Sequence, residues 1–154
     1  MTDTTFVVGA PRGGRDRSYT VPQFGFPGAA YVFRRNSSGN WVQTQKLQPA
    51  VPAPGFGTAV AIDRGMVIVG APKVDELFYE TGGAAYVFLP SSGRYLETLK
   101  LQPRFDDHGA YADFGYRIAM FGERIAISSC SRADFGSGFR PQPRHRSRGL
   151  TSNT

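Results

Sequence analysis

Two six-residue segments, Gly28-Ala29-Ala30-Tyr31-Val32-Phe33 and Gly83-Ala84-Ala85-Tyr86-Val87-Phe88, are identical and stand 55 residues apart. Other motifs repeat with them. Gly-Ala-Pro occurs at 9–11 and 70–72 (offset 61), Lys-Leu-Gln-Pro at 46–49 and 100–103 (offset 54), and Phe-Gly at 56–57 and 114–115 (offset 58). The motifs keep one order, and the drift in offset falls in the segments between them. A chain of this kind is a stack of copies of one supersecondary unit, each of which buries its apolar faces against its neighbours. That constraint outweighs anything composition can say about the fold.

The fullest copy runs from Phe56 to Pro103 and reads as four short segments: 56–62, 66–72, 83–88 and 95–101. Each is β-branched or aromatic, and turn signals such as Asp63-Arg64-Gly65 and Pro90-Ser91-Ser92-Gly93 separate them, the mark of strands in an antiparallel meander. No helical period is present. The first two segments are apolar on both faces (Val60 and Ile62 against Ala59 and Ala61, Val67 and Val69 against Met66 and Ile68), as expected of a strand held between two sheets. The fourth carries Arg94, Glu97, Thr98 and Lys100, and its first copy Gln43, Thr44, Gln45 and Lys46, which suits an outer edge protected from recruiting another chain.

Phe56-Gly57, followed by an apolar hairpin ending in Gly70-Ala71-Pro72, resembles the FG-GAP repeat of integrin α-subunit β-propellers. The later Ala-Tyr-Val-Phe and Lys-Leu segments bring it nearer to the microbial repeats of that type. The resemblance covers about residues 5–130 and implies blades of four antiparallel strands set around a ring. The expected fold is therefore all-β, a partial β-propeller of about two to three blades. Its domain is 1–131, with blade units at about 5–49, 56–103 and 114–131.

The N-terminal stretch Met1–Val8 lacks the charged start, long apolar centre and cleavage site of a signal peptide, and it enters directly at the second strand of a blade. The first strand of that blade is expected either to be lost or to be donated from elsewhere. The third copy starts well, with Phe114-Gly115-Tyr116-Arg117-Ile118-Ala119-Met120 and Arg124-Ile125-Ala126-Ile127, but Ser128-Ser129-Cys130 then replaces Gly-Ala-Pro. From 132 to 154 the chain is rich in Arg, Pro, Ser and Gly, and a disordered basic tail is expected. Five arginines against one aspartate place +4 of the total +6 charge in that tail. The basicity thus describes an appendage, and nucleic acid is not an expected partner. A frameshifted or truncated gene end is the favoured reading of this tail. No apolar run approaches the ~18 residues of a membrane span.

Candidate ligand-binding positions are few. Between corresponding strands, residues 12–27 form a longer connection than the second copy has. Its Arg12, Arg15 and Arg17 surround Asp16, with Tyr19, Phe24 and Phe26 interleaved. It reads as a solvated insertion, with a partner-binding loop as the functional alternative. The corresponding loop 73–81 is where the integrin-like repeats often hold calcium, and Asp75, Glu76 and Glu80 are its candidate ligands. Calcium takes about 6–8 oxygens, however, and the Asp-x-Asp-x-Asp-Gly spacing is absent, so an acidic surface loop without metal is expected. Asp106, Asp107 and Asp113, with His108, read as a solvated linker. Cys130 has no second cysteine to pair with, and neither it nor His145 stands in a catalytic motif.

Two functions from different classes fit such a chain. One is a non-catalytic propeller module, part of a larger surface or secreted protein, that binds a protein or glycan, associates with other repeats or with itself, and holds no cofactor. The alternative is the accessory propeller of a hydrolase or lyase whose catalytic residues lie elsewhere. The inner-strand segments 58–62 and 116–120 offer Arg117 as their one charged group. That composition lacks the acid, base and nucleophile of an active site and favours binding. The calcium reading has a direct check, because a ligand bound only to the native state raises its stability by mass action. Melting temperatures in millimolar calcium and in chelator are expected to coincide, and a rise of several degrees that Asp75→Ala abolishes would establish a site.

Overall fold

The computed structural model describes residues 4–11, 28–72, 82–103, 113–122 and 124–129. Short β-branched runs closed by glycine turns give nine strands there and no helix. The first sheet orders β1 (Thr5–Ala10), β2 (Ala29–Arg35) and β3 (Trp41–Leu47) side by side. The second is a four-stranded meander of β4 (Ala59–Asp63), β5 (Met66–Ala71), β6 (Ala84–Ser91) and β7 (Arg94–Leu101). The third pairs β8 (Ile118–Phe121) with β9 (Arg124–Ile127). All strand pairs are antiparallel and join consecutive strands. The sheets are successive blades of a partial β-propeller, here blades 1, 2 and 3. The 132–154 tail and the 12–27 insertion lie outside the described residues.

Turn chemistry sets the registers. Asp63 opposes Met66 across Arg64 (φ 45°) and Gly65 (φ 79°), and Ser91 opposes Arg94 across Ser92 (φ 48°) and Gly93 (φ 82°). Two central residues at positive φ make type I′ turns, whose twist matches the flanking strands. In the outer hairpins of blades 1 and 2 the register slips at one equivalent place, between Val32 and Phe33 and between Val87 and Phe88. The extra residues are Thr44 and Thr98. Their hydroxyls donate to the carbonyls of Val32 (3.3 Å) and Val87 (3.2 Å), so the same bulge is secured twice by the same side chain.

Blade 2 is buried on both faces because period-2 alternation sends its side chains to two neighbours. Val67, Val69, Tyr86, Phe88 and Tyr95 join Ala30, Val32 and Leu47 of blade 1 in one core. Ile68, Ala85 and Val87 form a second core, with Phe114, Ile118, Met120 and Ile127 of blade 3 packed on it. The expected apolar character of both faces of the second segment is thereby explained. The outer strand β7 is less uniformly polar than its composition suggests, since Leu96 and Leu99 are about half exposed.

Strands β4 and β8 begin three or four residues later than expected from the segments 56–62 and 114–120, and the reason is the packing between blades. Phe56 and Gly57 form a turn, with Gly57 at φ 93° and its N–H donating to the Gly70 carbonyl at 2.9 Å. The Phe56 side chain is fully buried and meets Tyr86 and Phe88 edge-on, with ring centroids 5.5 and 6.0 Å away. Its backbone lies directly on blade 1. A Cβ on Gly9 would overlap the Gly57 carbonyl, and one on Gly57 would overlap the Ala29 carbonyl and stand 2.9 Å from the Ala10 nitrogen. The next junction repeats this device: a Cβ on Gly70 would overlap the Gly115 carbonyl, and Gly115 (φ 92°) lies against Ala84 and Ala71. Here Phe114 N–H also donates to the Gly82 carbonyl at 2.8 Å.

Two measurements probe this junction. Gly57→Ala combines backbone strain of about 1–3 kcal/mol with overpacking of about 1–3 kcal/mol. Gly93→Ala has a similar φ (82°) but nothing within 4 Å of the added methyl. Urea denaturation is expected to show a markedly larger loss for Gly57→Ala, and equal losses would remove the docking explanation. Separately, burial pushes the Tyr86 phenol above its ordinary value, and the nearby Glu97 carboxylate pushes the same way. Because the folded state prefers the neutral phenol, its contribution is complete below about pH 10 and is lost as pH rises through the raised value. Stability is expected to fall in that alkaline window, less steeply in Tyr86→Phe.

Candidate interaction surface

The inner strands of blades 2 and 3, β4 and β8, stand side by side without hydrogen bonding to each other, and between them runs an open groove of about 750 Å³. Its walls are Thr58, Ala59 and Val60 on one side and Tyr116, Arg117, Ile118, Ala119, Ala126, Ile127 and Ser128 on the other. The Phe-Gly turns place both walls, because each inner strand starts where its turn leaves the preceding blade. The end of the blade 3 hairpin is held by Gly115 N–H to the Ser128 carbonyl (3.0 Å), Ser128 N–H to the Arg117 carbonyl (2.9 Å) and Arg117 N–H to Ser128 Oγ (3.0 Å). Thr58 Oγ1 donates to the Gly55 carbonyl at 2.7 Å.

Among the described residues lining the groove Arg117 is the only charged one, and its guanidinium lies 5.8 Å from the Tyr116 ring centroid. A guanidinium over an aromatic face keeps its charge and its fork of donors while losing freedom of orientation. The other walls are mostly aliphatic, and the hydroxyls of Thr58 and Ser128 are engaged with backbone. Among the described residues no carboxylate, imidazole, thiol or lysine lines the groove. Such a surface can hold a partner that is apolar and carries one negative group, and its lining has no pair suited to proton transfer near neutral pH.

At the periphery, blades 1 and 2 are joined by polar contacts. The Gln45 amide donates to the Tyr95 carbonyl and accepts from Tyr95 N–H, both at 2.8 Å, as a strand neighbour would. Glu97 accepts from Ala50 N–H at 2.8 Å, and the Arg34 guanidinium lies 5.8 Å from the Tyr95 ring centroid. Blades 2 and 3 are tied at their turns, where Gly122 N–H donates to the Asp63 carboxylate at 2.6 Å.

The calcium candidates Asp75, Glu76 and Glu80 lie outside the described residues, as do Arg12, Arg15, Arg17, Asp106, Asp107, His108, Cys130 and His145. Asp113 is described, and its carbonyl accepts from Tyr116 N–H at 3.2 Å. Among the described residues no three His, Cys, Asp or Glu side chains come together as a metal could use them. No helix among them is long and apolar enough to cross a membrane. Sequence reasoning found Arg117 but missed Tyr116, Thr58 and Ser128 as its surroundings. The signal available was the offset of 58, which aligns Thr58 with Tyr116 and Gly70 with Ser128.

The Phe-Gly of one unit thus rests on the Gly-Ala-Pro of the unit before it, and the FG-GAP repeat family matches residues 41–88. The chain carries an FG-GAP repeat region. Among curated proteins it is similar to integrin alpha-3 of Mus musculus, with 31% identity over 110 residues, covering 67% of this chain and 10% of the relative. Integrin alpha-3 of Cricetulus griseus is 31% identical over 129 residues, covering 79% of this chain and 11% of the relative. The chain therefore spans about a tenth of the length of these relatives. The family match begins at β3 and ends within β6, so it takes in the junction where Phe56-Gly57 docks.

Proposed function

We propose that this FG-GAP region is a non-catalytic interaction module of a surface or secreted protein, and that the groove between its inner strands holds a protein segment bearing a carboxylate. The observation that carries this reading is the Arg117 guanidinium, oriented over Tyr116 in a groove whose described lining is mostly aliphatic. A carboxylate can meet the guanidinium with two parallel hydrogen bonds while apolar side chains cover the walls. A protein ligand suits this lining better than a glycan, because sugar hydroxyls need many polar partners and most of the lining residues are aliphatic. The placement at a cell surface or outside the cell rests on the resemblance to integrin-type repeats and on the similarity to integrin alpha-3.

Full-length chain probed with a library of short peptides is expected to select sequences that combine an acidic residue with apolar neighbours. Because the guanidinium is exposed, Arg117→Ala is expected to weaken the selected peptides by about tenfold rather than abolish binding. Salt should weaken the parent chain more than the variant. Selection of neutral oligosaccharides instead, or equal peptide binding by Arg117→Ala, would overturn this assignment.

A further inference from the structure

The turn that joins β2 to β3 carries the tripeptide Asn36-Ser37-Ser38. An asparagine followed two positions later by serine or threonine, with no proline between, is the acceptor pattern of N-linked glycosylation. Three residues carry that reading only if the fold presents the asparagine. Here Asn36, Ser37 and Ser38 are all exposed at the tip of the outer hairpin of blade 1. Asn40, in the same turn, is followed by Trp41-Val42 and lacks the pattern.

The turn holds the Asn36 side chain in one orientation. Gly39 N–H donates to the Asn36 carbonyl at 3.0 Å, Asn36 N–H donates to the Asn40 carbonyl at 2.9 Å, and Gly39 stands at φ 83° where the chain reverses. Asn40 N–H in turn donates to Asn36 Oδ1 at 2.9 Å, so the side-chain oxygen takes an N–H that a backbone carbonyl would otherwise receive. One end of the carboxamide is anchored. Its other end, Nδ2, is the atom to which a sugar is attached, and it makes no hydrogen bond among the described residues. Arg35 stiffens the loop by donating from Nε to the Gly39 carbonyl at 2.9 Å. The equivalent turn of blade 2 is built differently, for Ser91 opposes Arg94 across Ser92 and Gly93 and that turn holds no asparagine. The acceptor is therefore a property of this one turn and not of the repeat.

We propose that Asn36 is a site of N-linked glycosylation, taking an oligosaccharide from a lipid-diphosphate donor. In the transfer Nδ2 forms a bond to the anomeric carbon of the first sugar, the bond from that carbon to the phosphate oxygen breaks, the lipid diphosphate leaves, and the amide gives up one proton to the medium. The carboxamide keeps its carbonyl, so the bond from Asn40 N–H to Oδ1 survives and the glycan extends from a turn already in place. This assignment rests on the placement at a surface or outside the cell, because the modification belongs to surface loops of secreted proteins. It does not rest on the groove, to which the β2–β3 turn contributes no residue.

Purified full-length chain is incubated with an oligosaccharyltransferase and a lipid-diphosphate oligosaccharide, beside a synthetic peptide of residues 33–42 as reference. One glycan is expected on the folded chain, mapped by mass spectrometry to Asn36, at an initial rate comparable with that of the peptide. Ser38→Ala keeps the bond between Asn36 and Asn40 and should abolish the addition, Ser38→Thr should retain it, and Arg117→Ala should leave it unchanged. No addition to the folded chain, or addition at Asn36 that survives Ser38→Ala, would overturn the proposal. Chain recovered from the cells that make it separates the two readings. A glycan on Asn36 there supports both, whereas recovery at the surface or outside with Asn36 bare overturns the glycan and leaves the surface placement standing. Recovery inside the cell alone removes the placement and the glycan together.

Discussion

Backbone against backbone, with no Cβ between, is the contact on which the other features of this chain depend. Gly57 lies on Gly9, Ala10 and Ala29 so closely that no other residue fits, and Gly115 repeats the contact on Gly70, Ala71 and Ala84. Each approach draws the start of one blade onto the blade before it. It delivers Phe56 into the core between blades 1 and 2, where Tyr86 and Phe88 close around it. The spacing of inner strands, the burial of both faces of β5 and the groove between β4 and β8 follow from where those turns come to rest. Side-chain burial supplies most of the stabilisation, but it can do so only at the distance that the glycines permit.

Away from the centre the two junctions are built differently. Blades 1 and 2 meet through directional bonds, with Gln45 taking the place of a strand neighbour to Tyr95 and Glu97 reaching Ala50. Blade 2 presents leucines at the equivalent positions towards blade 3. Directional bonds specify one partner in one register, whereas an apolar surface specifies shape. The bulge at Thr44 and Thr98 is common to both, so the difference lies in side-chain chemistry and not in the backbone.

The groove combines these constraints with one charge. A guanidinium among aliphatic walls attracts a carboxylate without offering a proton acceptor, and the neighbouring hydroxyls are committed to holding the hairpin and the Gly55 turn. Carboxylate binding, as proposed, is the use that the described lining residues support.

The strands, their antiparallel order and the places of their turns were legible in the sequence, because period-2 apolarity and turn residues such as Asp63-Arg64-Gly65 and Ser91-Ser92-Gly93 are local properties of the chain. The type I′ geometry of those turns came from the structure. The repeat made the unit legible, although its inner strands start three or four residues after the Phe-Gly pair begins, because that pair lies in a turn. Arg117 stood out as the charge on an inner strand, but Tyr116, Ser128 and Thr58 did not, since their meeting depends on the separation of two blades and no local pattern encodes that. The exposed leucines were equally hidden: in β7 they alternate with charged residues and read as part of a polar edge. The sequence by itself determined which segments become strands and that they repeat. Only the tertiary structure decided which faces are covered, because coverage depends on how closely neighbouring backbones approach, and here the glycine contacts between blades set that distance.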